Sequence, residues 1–319
     1  MPDSLDELAY TLPDQREYEA LGSTLGDRRD GRVYVHDPRV RAAVLVAQAT
    51  GRPLLVRGKP GSGKSSLAPF IARALKLRFY VHTVQGRTQA QDLMWRYDAV
   101  RRLADAQLPS SGATSSRAER IEHYIEPGAL WWAFDSATAR MRGVDSTQVD
   151  IKPADDPGVG PADAECIVLI DEIDKADPDV PNSLLECLGS WQFRVQETGF
   201  PVRATKPPLV FITTNDEREL PAAFRRRCVT LYLDAHTTED LAQIGHAHFP
   251  EASDELCKRV AAHVDRLRGE ARKLNQPGPS TAEYLDALRA SLRLDGNKNV
   301  TWQDIEQLTL AKQNPFAES

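Results

Sequence analysis

No two of the four cysteines in this 319-residue chain lie close in sequence: Cys166, Cys187, Cys228 and Cys257 contain no C-x-x-C pair. That spacing speaks against a zinc site and a disulfide frame, and suits buried thiols in a reducing cytosol. His246-Ala247-His248 has no cysteine partner at ligand spacing, so it reads as exposed helix histidines rather than half a metal site. A basic block is missing too. The formal net charge is −6, which argues against a nucleic-acid surface as the main business while leaving room for a local groove. Long apolar runs are also lacking. The longest purely aliphatic run is Ile167-Val168-Leu169-Ile170 and the N-terminus is polar and acidic, so no signal peptide and no membrane span are expected, and the expected location is cytoplasmic. No internal repeat is visible. What remains, 41% apolar and 27% charged residues, is ordinary for a globular protein of one large domain, or a domain plus a smaller one.

Against that plain background one stretch stands out: Gly58-Lys59-Pro60-Gly61-Ser62-Gly63-Lys64-Ser65. It fits G-x-x-x-x-G-K-[ST], the phosphate-binding P-loop pattern, at every position. Upstream, Pro53 to Arg57 reads as a short buried strand. Downstream, Leu67, Phe70, Ile71, Ala74 and Leu75 recur at helical spacing over Ser66 to Leu75. Strand, glycine-rich turn and helix aim backbone N–H groups and a positive helix end at a polyphosphate. Gly58, Pro60, Gly61, Ser62, Gly63, Lys64, Ser65 and Ser66 are therefore the candidate nucleotide-binding residues. Lys64 would reach the β- and γ-phosphates, and Ser65 would offer its hydroxyl to Mg²⁺. The competing reading is a surface Gly/Ser turn with a solvated lysine.

The rest of the chain sorts around this unit. Residues 1–31 are polar and predict an extended arm. Val33-Tyr34-Val35 suggests a short strand, and Pro38 to Thr50 a helix stopped by Gly51. Phe79 to Val84 alternates as a second strand. Gln89 to Leu93 predicts a short helix, Trp95 to Val100 one arm of a hairpin, and Tyr124 to Gly128 its return. Between them, 108–117 is a Ser/Gly/Ala-rich loop. Ala129 to Met141 reads as one helix, with Trp131 and Trp132 as packing residues. Arg142 to Asp163, rich in Asp, Pro and Gly, reads as a mobile surface loop. Cys166 to Ile170 is a strand buried on both faces, followed by a helix over about 178–188 and a surface hairpin around Glu197-Thr198-Gly199. Pro208 to Thr214 is another buried strand, Pro221 to Arg227 a short helix, and Cys228 to Leu233 a last strand. Strands alternating with helices predict a parallel sheet with helices on both faces. After Asp234 only helical patterns follow, over 238–249, 253–271, 281–293 and 302–312. Thr237 with Asp240, and Ser280 with Glu283, have the spacing of capping boxes. The expected division is an arm (1–31), an α/β domain (32–234) and a small helical lid (235–319).

In open parallel sheets, ligands sit beyond the carboxyl ends of the strands. One strand leads into the P-loop. A second ends at Asp171-Glu172, where Asp171 would hold Mg²⁺ through water and Glu172 would polarise the attacking water. The alternative is a helix N-cap. A third ends at Asn215, suited to the γ-phosphate or the attacking water, or simply to a turn.

Taken together, GKPGSGKS, IVLIDEID, FITTND and the run from Leu220 to Cys228 resemble AAA+ ATPases, and more narrowly the MoxR branch of the helix-2-insert clade. The resemblance covers roughly 37–293. It implies ATP as the nucleotide, and an extra hairpin after the second strand, which accounts for 86–128. It also implies a homo-oligomer, usually a hexameric ring with ATP between subunits, in which Arg226 and Arg227 act in trans on the neighbour's γ-phosphate. Without a neighbour they are a solvated basic cluster at a helix end. Partners with a von Willebrand factor A domain are implied as well. Where the family often carries a lid arginine, this chain has Ala282; either another residue such as Arg289 substitutes, or the coupling of the lid to nucleotide is weaker. No aromatic–hydrophobic–glycine pore loop is present, so threading of polypeptides is not expected. Two rival readings stay open: a nucleotide-gated scaffold with slow hydrolysis, and a DNA-linked motor.

Overall fold

The computed structural model describes residues 31, 33, 34, 38–107, 120–144 and 152–311. Helix α1 (Pro38–Thr50) leads into β1 (Leu54–Gly58), and α2 (Lys64–Ala74) follows the glycine-rich turn. Then come β2 (Arg78–Thr83), α3 (Ala90–Met94), β3 (Trp95–Tyr97) and α4 (Ala99–Gln107). A 3-10 turn (Ile121–Tyr124) precedes β4 (Ile125–Pro127), α5 (Ala129–Phe134) and α6 (Ser136–Arg140). Strand β5 (Cys166–Asp171) runs into a 3-10 turn (Ile173–Lys175) and α7 (Asp179–Ser190). The hairpin β6 (Gln192–Arg194) and β7 (Pro201–Arg203) is followed by β8 (Leu209–Thr214), α8 (Ala222–Arg225) and β9 (Val229–Leu233). The C-terminal helices are α9 (Thr238–His248), α10 (Asp254–Lys273), α11 (Thr281–Arg293) and α12 (Trp302–Ile305), which continues as a π-helical turn, Glu306–Ala311.

Five strands form one sheet in the order β2-β5-β8-β1-β9. β2 pairs parallel with β5, β5 with β8, and β8 with β1. The central strands are apolar up to the polar residues that end them because both faces are covered: all six residues of β8 and the last five of β5 are buried. This is the expected parallel sheet flanked by helices.

By contacts the chain forms two compact units. Of the described residues, one comprises those within Arg39–Arg57 and Ala72–Leu231; the other comprises those up to Pro38, Gly58–Ile71 and those from Tyr232 onward. In the first, the core joins Leu55, Val168, Ile170, Val210 and Ile212 to Trp131, Trp132 and Phe134. Trp131 and Trp132 are buried packing residues, as expected. The insert hairpin β3–β4 is antiparallel, with Trp95 opposite Pro127. It is tied to the β6–β7 hairpin, since Trp95 stacks on Phe193 at 5.6 Å and its indole N–H donates to Glu197 at 2.7 Å. In the second unit, Leu241, Val260, Val264, Tyr284 and Leu288 fill a helical core. Thr237 caps α9 and Ser280 caps α11 as full capping boxes, each contributing about 1 kcal/mol to its helix.

Four local expectations are corrected. Val33 and Tyr34 belong to no strand; Val35 lies outside the described residues. The hairpin arm expected over Trp95 to Val100 stops at Tyr97, and Ala99 begins α4, none of whose residues is buried. The single helix expected over 129–141 is two, because the Asp135 carboxylate accepts the Thr138 N–H at 3.0 Å and starts α6 as an N-cap. Part of the loop expected over 142–163 is docked: Val159 bridges Phe79, and Asp156 pairs with the Arg78 guanidinium at 2.7 Å. The loop over 108–117 and the arm up to Asp30 lie outside the described residues.

Candidate functional site

Chain direction puts the turn after β1 at the carboxyl edge of the sheet. Its glycines are needed there. Gly58 has φ 151° and Gly61 φ 75°. A Cβ on Gly58 would overlap the Leu233 carbonyl oxygen, and one on Gly61 would overlap the Ser280 side chain. Lys64 is 6% exposed, and its ammonium donates to the carbonyls of Gly58 and Lys59, both at 2.7 Å. The lysine therefore bridges the loop it ends and keeps it curled. The Ser62 hydroxyl is buried with no hydrogen-bond partner among the described residues. An orphaned hydroxyl two residues before a helix start, where N–H groups lack intrahelical acceptors, fits a phosphate oxygen.

In the same unit, this loop packs on the start of α11. Ser280 and Thr281 are the residues nearest Gly61. They are fixed in turn by three bonds. The Thr281 hydroxyl meets His236 Nδ1 at 2.8 Å, and Arg268 donates to the carbonyls of Pro279 and His236, both at 2.8 Å. Burial lowers the His236 pKa below its ordinary value, so the ring facing Thr281 is neutral at neutral pH. Ala282 sits in the first turn of α11. Arg289 lies on the same helix, 3.2 Å from Asp286 and over the Phe249 ring, which gives it partners within the helical core.

In the other unit, the ends of β5 and β8 form a hydrogen-bonded cluster. Asp171 is 1% exposed, and its Oδ1 accepts the Thr213 hydroxyl proton at 2.6 Å. Glu172 takes the left-handed backbone conformation, φ 62°; its N–H donates to the Thr213 hydroxyl oxygen at 2.8 Å. Its carboxylate meets the Lys175 ammonium at 2.6 Å, which raises the lysine's pKa. Asp174 is buried, and its Oδ2 accepts the N–H groups of Asn215 and Glu217, both at 3.1 Å. Between those two, Asp216 (φ 59°) donates its N–H to the Thr214 hydroxyl and pairs with Arg57 at 3.0 Å. Thr214 is in register with Arg57, the residue before the loop. Asp171, Glu172 and Asn215 thus share one strand-end cluster.

Arg226 and Arg227 follow α8 on the surface. Both are exposed, and neither guanidinium has an ion pair among the described residues; Arg225, by contrast, pairs with Glu219 at 2.9 Å. No group of three metal-ligating side chains occurs among the described residues, and no described helix is long and apolar enough to cross a membrane. His246 is half-buried and bonded to Asp254 at 3.0 Å. The sequence reading missed Thr213 and Asp174. Their signals were present: a threonine pair inside an otherwise apolar strand, and a third acid three residues after Asp171.

Among solved structures the chain is similar to the Holliday junction branch migration motor RuvB of Thermotoga maritima, at 16% identity and a TM-score of 0.41. That match covers 84% of this chain and 65% of that one. A point variant of the same motor gives 15% and 0.44, covering 86% and 70%. A Cytophaga hutchinsonii protein described as a candidate ATPase gives 14% and 0.40, covering 85% and 78%. The chain thus spans slightly under two thirds of the first of these. No curated protein matches it in sequence. Residues 53–228, which run from the start of β1 past the strand-end cluster to the arginines after α8, match the AAA domain of the dynein-related subfamily. That match takes in more than half of the chain and joins the glycine-rich loop to the acidic strand end, and on it the chain belongs to the AAA+ ATPases.

Proposed function

We propose that the chain is an ATP-hydrolysing protein of the MoxR type that works as a homo-hexameric ring, with ATP between subunits, to remodel or activate a partner protein. The observation that carries the hydrolytic part is the carboxyl edge of the sheet. Its parallel neighbours β5, β8 and β1 run into Asp171-Glu172, Asn215 and the P-loop.

In this reading Gly58, Pro60, Gly61, Ser62, Gly63, Lys64, Ser65 and Ser66 cradle the phosphates. Lys64 and the α2 N-terminus supply positive charge. The Ser65 hydroxyl and the Asp171 carboxylate would hold Mg²⁺, which when bound neutralises charge on the β- and γ-phosphates. Glu172 takes the proton of the attacking water, and Asn215 orients that water or the γ-phosphate. Arg226 and Arg227 act on the neighbour's site, which agrees with their exposure. The packing of Gly61 on Ser280 supports a lid that responds to nucleotide without an arginine at position 282. The partner is taken to be a protein, with a von Willebrand factor A domain as the candidate class; net charge −6 disfavours nucleic acid. One observation favours a second reading, a nucleotide-gated scaffold with slow hydrolysis: the Glu172 carboxylate is engaged by Lys175.

Mixed subunits test the shared site. An arginine supplied in trans is worth about 10³–10⁵ in rate. Arg227→Ala chains and Lys64→Ala chains are each expected to be inactive alone. Blending them should restore phosphate release, because some interfaces then pair an intact loop with an intact arginine. No recovery at any ratio would count against trans action.

A further inference from the structure

We propose that Thr213 is a positioning residue for hydrolysis, whose single hydroxyl sets both carboxylates of the Asp171-Glu172 pair. The proposal rests on the roles given above to those two acids and names what holds them. β5 and β8 are parallel neighbours with Ile170 opposite Ile212, so the next residues, Asp171 and Thr213, are also side by side. The hydroxyl is used twice. It donates its proton to Asp171 Oδ1 at 2.6 Å and accepts the Glu172 N–H at 2.8 Å.

The two bonds have different consequences. The first occupies one carboxylate oxygen of Asp171 and fixes the rotation of that side chain. The second holds Glu172 in a left-handed conformation, φ 62°, which costs a residue with a Cβ free energy and persists only where its surroundings impose it. That turn ends the alternation of the strand and decides where the Glu172 side chain leaves the backbone. The same joint is closed from its other side. Asp174, two residues beyond Glu172, accepts the N–H groups of Asn215 and Glu217, which follow Thr213. Each strand end therefore grips the other, and Asn215 is set by the same joint as Glu172.

The position is 1% exposed, in a strand reading Leu-Val-Phe-Ile before it. Valine has the same shape but leaves the buried Asp171 Oδ1 and the Glu172 N–H without this partner, so it undoes the joint and costs some stability as well.

The test uses the full chain with ATP and Mg²⁺, reading phosphate release and nucleotide affinity separately. Thr213→Val is expected to lower kcat by about 10–100-fold, the range found for groups that orient a reacting shell, with affinity within about twofold. Thr213→Ser keeps the hydroxyl and should stay within about threefold of the native rate. In a Glu172→Gln background, Thr213→Val should cost clearly less in single-turnover assays than it does in the native chain, because the part that acts through Glu172 is already gone and only the part that acts through Asp171 remains. Thr213→Ala serves in its place if the valine variant does not fold. Native turnover by the hydroxyl-free variants overturns the proposal. So does a loss of affinity as large as the loss of rate, a serine variant as slow as valine, or a full additional loss in the double variant. Normal turnover by Glu172→Gln itself would instead strike the assignment of Glu172, so the two failures are distinguishable.

Discussion

Lys64→Ala is expected to abolish measurable nucleotide binding. The ammonium is almost fully buried and spans the turn, donating to the Gly58 and Lys59 carbonyls at 2.7 Å. Alanine removes two things at once: the positive charge that the proposed role gives to the phosphates, and the bridge that keeps the loop curled. Hydrogen bonds to a charged partner contribute about 1.5–3 kcal/mol each. Two of the three ammonium donors hold the turn, so at most one serves a phosphate. Losing that bond corresponds to about ten- to a hundredfold in affinity, since each 1.4 kcal/mol is about tenfold, and loss of the bridged turn adds to it. The chain should still fold, because Lys64 starts α2 and alanine suits a helix. Titration of a fluorescent ATP analogue, with circular dichroism as the control for folding, checks this. Binding within about threefold of native would mean that Lys64 does not read phosphate charge.

Glu172→Gln is expected to separate binding from chemistry. Glutamine keeps the size and the backbone N–H that meets Thr213, so the left-handed turn should survive. It cannot take a proton. Turnover should fall by about 10²–10⁴, the usual contribution of a positioned general base, while nucleotide affinity stays near native. Lys175 loses its ion partner, but that pair is partly exposed, with side chains 44% and 29% accessible, so little stability goes with it. Steady-state phosphate release reads the result. A glutamine variant that turns over at the native rate would remove Glu172 from the mechanism.

Much of the sheet was legible because its strands are buried on both faces. Cys166 to Ile170 and Leu209 to Ile212 read as unbroken apolar runs, and the polar residues that end them mark the site. The capping boxes at Thr237 and Ser280 were legible because both partners lie within one turn. What escaped depends on distant partners. The strand order β2-β5-β8-β1-β9 is not written in the order of the strands along the chain. Val159 looked like loop because its composition is loop-like; its pairing with Phe79 and the neighbouring Arg78–Asp156 contact come from 78 residues or more away. α4 hid for the opposite reason. Its apolar residues Val100 and Leu103 have helical spacing but stay exposed, and the tryptophan and tyrosine just before them read as strand. Thr213 could be read as part of a strand, but its hydroxyl gains meaning only when β5 is known to lie beside β8 in that register.

The claim that joins these parts is that one chain carries half of two sites, with its loop facing its own nucleotide and Arg226 and Arg227 facing the neighbour's. The direct measurement is the mass of the full chain in solution with ATP and Mg²⁺ over a range of protein concentrations. Six chains per particle is the predicted result; a strict monomer at every concentration while ATP is hydrolysed would contradict it.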